Sequence, residues 1–128
     1  MVARAHDASA FEWAELEALY GEAPFLNLVE RALTQLRADL AEFDCMLGAR
    51  AYTSASQRLH RMKGTASFFS CGEKALAALH CAEKALSLAH PEFIALTLPD
   101  ARQAIEALVQ AFEAQLLQAG RLCGSGDL

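Results

Sequence analysis

Residues 52–69, YTSASQRLHRMKGTASFF, place Tyr52, Ala55, Leu59, Met62, Ala66 and Phe69 at alternating steps of three and four. Only an α-helix, turning 100° per residue, keeps such a set on one side. The alternation continues outward in both directions. Upstream, Pro24 suits a helix start because the amide it lacks would be unpaired there. Phe25, Leu28, Val29, Ala32, Leu33, Leu36, Leu40, Phe43 and Leu47 then recur to a stop before Gly48. Ahead of them, Ser9-Ala10-Phe11-Glu12 fits a capping box, and Trp13, Leu16, Leu19 and Tyr20 complete a short helix ending near Gly21. Downstream, Gly72 closes the central helix and residues 73–89 carry Leu76, Leu79, Ala82 and Leu86. His90-Pro91 interrupts that pattern. A last helix, beginning between Thr97 and Asp100, buries Ala101, Ile105, Leu108, Phe112 and Leu116 and runs to Gly120. Joined by short turns, these stripes predict an all-α, antiparallel up-down-up-down four-helix bundle with a short extra N-terminal helix.

Composition agrees. A chain of 128 residues with 54% hydrophobic and 21% charged side chains suits one domain with a proper core. Seven glycines and three prolines are too few for a loop-rich β fold. The domain is expected over residues 9–120, between a flexible N-terminus, 1–8, and a flexible tail, 121–128. A net charge of -5 and a pI near 5.3 argue against nucleic acid as a partner. No apolar run approaches the ~18 residues of a membrane span, and the first residues lack the apolar core of a signal peptide. Cys45, Cys71, Cys81 and Cys123 form no CxxC pair, so they read as reduced thiols and the compartment as cytoplasmic.

The chemistry concentrates on the central helix. His60 points roughly 130° away from the centre of the apolar stripe and should be solvated. Ser56, Lys63, Gly64 and Ser67 lie one or two turns from it. Gly64 costs a helix about 1 kcal/mol relative to Ala, so some benefit must offset it. A helix ending there would be an ordinary explanation, but the stripe continues in phase through Ala66 and Phe69. A missing side chain one turn from an exposed imidazole gives another protein room to reach the ring. Lys63 places an ammonium on the same side, where it could stabilise anionic oxygens on the ring, and Arg58 and Arg61 add positive charge. Taken alone, each is an unremarkable surface residue; His, Lys and Gly at positions 0, 3 and 4 of one exposed face form a phosphoryl-accepting set.

His60-Arg61-Met62-Lys63-Gly64-Thr65-Ala66 resembles the H-x-x-K-G-[ST]-A signature of histidine-containing phosphotransfer (HPt) domains, the four-helix carriers of phosphorelays. The resemblance covers roughly residues 11–118. It implies that His60 is phosphorylated, that Lys63 assists the phosphoryl group and that Gly64 admits a partner receiver domain. The family's glycine ten residues after its histidine is replaced here by Ser70, with Gly72 two residues later, so the central helix or its following turn is longer. Family members often place a polar residue of the next helix beside the histidine; Glu83, Lys84 and His80 are the candidates.

On this reading the chain is a carrier with no nucleotide site of its own, since no P-loop or kinase glycine loop is present. The partners implied are response-regulator receiver domains, which would bring Mg²⁺ and an aspartate, and, where the relay includes one, a hybrid sensor kinase; the carrier itself is expected to be monomeric and to need no cofactor or membrane contact. Ser56, Arg61, Ser67 and Phe68 are candidate docking residues. Phe68, adjacent to the stripe residue Phe69, either packs under the first helix, the commoner fate of an aromatic, or joins an apolar rim around His60. Trp13 and Tyr20 are expected to cover one end of the bundle, and Glu12, Glu15 and Glu17 to be solvated. Two rivals stand beside the relay: the phosphoryl-accepting segment of a chemotaxis-type histidine kinase, and a helical module that only sequesters a receiver. A zinc site from Cys71, His80, Cys81 and His90 is disfavoured by spacing, and Cys45 and Cys71 read as small buried fillers.

Overall fold

The computed structural model describes residues 13–69 and 71–121 of the chain. The expected capping box at Ser9 and the two flexible ends therefore lie outside the described residues, apart from Arg121. Among the described residues five helices follow one another: α1 (Ala14–Tyr20), α2 (Glu22–Gly48), α3 (Tyr52–Phe68), α4 (Glu73–Ser87) and α5 (Pro91–Gln118). No strand occurs among the described residues. Each long helix packs on the next, α2 on α5 closes the square, and α3 and α5 meet only sparsely across the diagonal. This is the antiparallel bundle, with one short extra helix, that the stripes dictate.

The turns are tight because the helix ends satisfy their own carbonyls. After α2, the amides of Arg50 and Ala51 bond back to Leu47 and Met46, with Arg50 at φ 57°. After α4, Ala89 and His90 bond back to Leu86 and Ala85, with Ala89 at φ 52°. Both are Schellman closures, usually made by glycine. After α5 the same closure uses Gly120 and Arg121, and the Arg121 guanidinium reaches Asn27 at 3.0 Å and Glu30 at 3.3 Å on α2. Arg121 is thus pinned to the bundle, contrary to the expectation of a frayed tail from that residue onward.

Three helix boundaries differ from the sequence expectation. The central helix stops at Phe68, and Gly72, at φ 100°, is the residue before α4 instead of the end of α3. At its start α2 takes in two residues ahead of Pro24, with Gly21 as its N-cap. The last helix begins at Pro91, well before Thr97. His90 caps it, its ring Nδ1 accepting from the Phe93 amide at 3.2 Å, and Pro91 fills the first helical position. Pro99 sits inside this helix; it withholds only its own amide, and the turns before it are held by buried Ile94 and half-buried Leu98.

One end of the bundle is closed by aromatics. The Trp13 ring stacks on Phe112 at 5.3 Å and meets Phe69 at 5.7 Å and Phe25 at 6.2 Å, and its Nε1–H donates to the Phe69 carbonyl at 2.8 Å. Tyr20 does not share this role: it is exposed, as is Leu19, and no residue of α1 is buried. Trp13→Ala removes the plug and a buried hydrogen bond, and is expected to destabilise the domain by about 3–5 kcal/mol. Urea unfolding followed by circular dichroism measures this directly; a loss under 1 kcal/mol would show that the plug is dispensable.

Candidate functional site

α3 contains no Asp or Glu, and its charges Arg58, Arg61 and Lys63 lie outside its buried stripe. Burial of Ala55, Leu59, Met62 and Ala66, with Phe69 beyond the helix end, fixes the rotation of α3 and turns His60 outward. The His60 side chain is 67% exposed. Gly64 lies inside α3, four residues on, and a Cβ built there meets nothing within 4 Å. No packing within the domain therefore requires that position to be glycine.

Two flanks hold the helix in place. Toward α4, the Glu83 carboxylate bridges two residues of α3. Its Oε2 lies 2.8 Å from Nδ1 of His60, and its Oε1, shielded from solvent, forms an ion pair with Nζ of Lys63 at 2.7 Å. Burial pushes the Glu83 carboxyl up, but the Lys63 ammonium and His60 together outweigh it and hold it below the ordinary value. An ionised carboxylate only accepts, so Nδ1 of His60 carries the proton and donates. In the neutral ring the lone pair is then on Nε2, on the opposite side of the imidazole. The Lys63 ammonium also approaches Nδ1 of His80 at 3.5 Å, the outer edge of hydrogen-bond range.

Toward α2, Asp39 is only 2% exposed, yet it faces the Arg61 guanidinium at 3.1 Å, Arg58 at 3.4 Å and the Gln35 amide at 3.1 Å. Arg58 also pairs with Glu42 at 2.9 Å. A buried carboxylate so surrounded locks α2 to α3 in one register, because leaving either partner unpaired is costly. Sequence reading identified Arg58 and Arg61 but not Asp39, which occupies an apolar position of the α2 pattern. The signal available was an acid within the stripe.

The helix-four candidates now separate. Glu83 is beside His60, His80 is beside Lys63, and Lys84, exposed one residue further round, pairs with neither. An open groove of about 580 Å³ between α3 and α4 is lined by His60, Lys63, Gly64, Ser67, Leu76 and His80, with Glu73 and Ala77. Ser56 does not belong to any docking surface: it is 7% exposed, and its hydroxyl donates to the Glu83 carbonyl at 3.1 Å. At i−4 from His60 it falls on the α4 side, under the helix contact. Phe68 is 46% exposed, its ring edge-on to buried Phe69, so the surface position holds and core packing does not.

Among the cysteines, Cys71 is buried and its thiol is pushed up by that burial, while Cys45 and Cys81 are exposed rather than core fillers. These three are free, and Cys123 lies outside the described residues. Among the described residues no three His, Cys, Asp or Glu side chains converge as a metal site requires. No helix there is long and apolar enough to cross a membrane.

Because open space surrounds its missing Cβ, Gly64→Ala is expected to stabilise the isolated domain by up to about 1 kcal/mol; a fall in thermal midpoint would contradict this. The Glu83 clamp has a defined pH signature. Its folded value is depressed, so its contribution is present above the ordinary carboxylate range and is lost as pH falls through the folded value. The stability gap between the wild type and Glu83→Gln should be constant near neutrality and shrink below about pH 4.5, the ordinary value. Chemical unfolding across that range checks it. Compared with known proteins, the chain matches no family model, no curated protein and no solved structure. Over the described residues the protein is an all-α bundle of one short and four long helices, a fold compatible with HPt-like domains.

Proposed function

We propose that this domain is a phosphoryl carrier of the HPt kind, in which Nε2 of His60 takes a phosphoryl group from a receiver-domain aspartate and passes it to another. The observation that carries the reading is the exposed imidazole whose Nδ1 is held by Glu83, with Lys63 one turn on and unfilled space at Gly64.

Each residue has a definite task in the transfer. The Nε2 lone pair attacks phosphorus as the P–O bond to the aspartyl carboxylate breaks, and the electron pair leaves on that carboxylate. No proton has to move, because Nδ1 keeps its hydrogen throughout. The phosphorylated ring is then a cation, and the Glu83 carboxylate, already 2.8 Å from Nδ1, compensates it. Lys63 has the complementary duty toward the phosphoryl oxygens. The reverse transfer uses the same contacts, which suits a carrier that must give up what it receives. The partner supplies Mg²⁺ and its own aspartate, so this chain has to provide position, one acceptor nitrogen and one cation.

Incubation with ³²P-labelled receiver domains, followed by acid and alkali treatment, tests the proposal. Acid-labile, alkali-stable label is expected on the wild type and none on His60→Gln; label persisting on that variant would refute the assignment. Glu83→Gln retains a neutral hydrogen-bond partner but loses the charge. Its transfer should slow by roughly 10- to 100-fold, the value of a charge-assisted hydrogen bond worth about 1.5–3 kcal/mol.

A further inference from the structure

The surface around His60 is not symmetrical. On the α2 flank, Arg61 is tied to Asp39, and Arg58 to Asp39 and Glu42, just as Lys63 is tied to Glu83 on the other side, so the flanks differ in shape and not in paired charge. On the α4 flank the surface instead falls into the groove of about 580 Å³ that begins at His60. Its floor is made of small or apolar residues, Gly64, Ser67, Leu76 and Ala77. It is also polar along its length. His60, Lys63 and His80 stand at one end and Glu73 at the other, and ten residues of α4 separate Glu73 from Glu83, the partner of His60, about 15 Å of helix.

We infer that the partner docks mainly through this α3–α4 groove, inserting an apolar segment that carries its phosphorylated carboxylate at one end and a Lys or Arg about 15 Å away, placed to meet Glu73. This rests on the phosphotransfer reading and adds to it a direction of approach and a charge pattern on the partner. The missing Cβ of Gly64 then serves a purpose: it lowers the groove wall next to the reacting nitrogen. Ala77, on the opposite wall, does the same from α4. Glu73 also sits in the first turn of α4, where an acid favours the helix for its own sake, so that role has to be separated from docking.

The test uses the full chain in two stages. Phosphoramidate, a small donor that needs no docking surface, is first used to label His60 in the wild type and in Glu73→Lys, Ala77→Trp, Gln57→Glu, exposed one turn before His60 and outside the groove, and Phe68→Ala, with thermal midpoints recorded for all. Transfer from each labelled protein to a panel of purified receiver domains is then timed, and the affinity of the receiver that accepts fastest is measured at low and high salt. Groove docking predicts equal labelling of all five proteins. It also predicts at least tenfold slower transfer and weaker binding for Glu73→Lys and Ala77→Trp, with the salt dependence of binding reduced in Glu73→Lys, and less than threefold change for Gln57→Glu and Phe68→Ala. If Glu73→Lys lowers only the thermal midpoint, Glu73 is a helix-terminus residue and the inference fails. It fails equally if the variants outside the groove lose transfer as much as the groove variants or more. Wild-type protein that phosphoramidate labels on His60 but that passes the group to no receiver overturns the relay reading itself, a different result from a misplaced docking face.

Discussion

The site depends on the rotation of α3 about its own axis. Ala55, Leu59, Met62 and Ala66 are removed from water on one side of that helix, and burial of those groups outweighs anything its polar side gains by turning inward. Once that side is committed, His60 has to face solvent, and Lys63 and Gly64 follow it one turn further along. A rotation of one residue, 100°, would carry the imidazole into a helix contact and bring Arg61 to the exposed position.

Burial sets the rotation coarsely, and two carboxylates refine it from either side. Asp39 fastens α2 to Arg58 and Arg61, while Glu83 fastens α4 to His60 and Lys63. The two are placed differently. Asp39 is sealed in the interior and serves the frame, since its partners would be left unmatched if it moved. Glu83 is at the surface edge, where it decides which nitrogen of the His60 ring holds the proton and which is left as an acceptor. The same residue therefore joins two helices and sets the tautomer of that ring.

Gly64 belongs to the same arrangement. Within the domain nothing occupies the space its side chain would fill, so the cost of a glycine in mid-helix has no internal compensation. A residue that weakens its own helix without easing any contact inside the molecule is understandable if the benefit arises when a second molecule arrives.

The sequence by itself determined the helices, their buried sides and the exposure of His60 with Lys63 and Gly64, because these follow from the 100° periodicity and involve only residues three or four apart. It did not locate the start of α5, which it set between Thr97 and Asp100, since the cap at His90, the burial of Ile94 and the half-burial of Leu98 keep the earlier turns helical. It misplaced Ser56, whose neighbour Glu83 is 27 positions away in sequence. It left Phe68 between core and surface, and Glu83, Lys84 and His80 undecided. Those questions turn on how one helix is set against another. Only the packed bundle brings Glu83 against His60, because side chains separated by 23 residues meet through the α3–α4 contact and not through local periodicity.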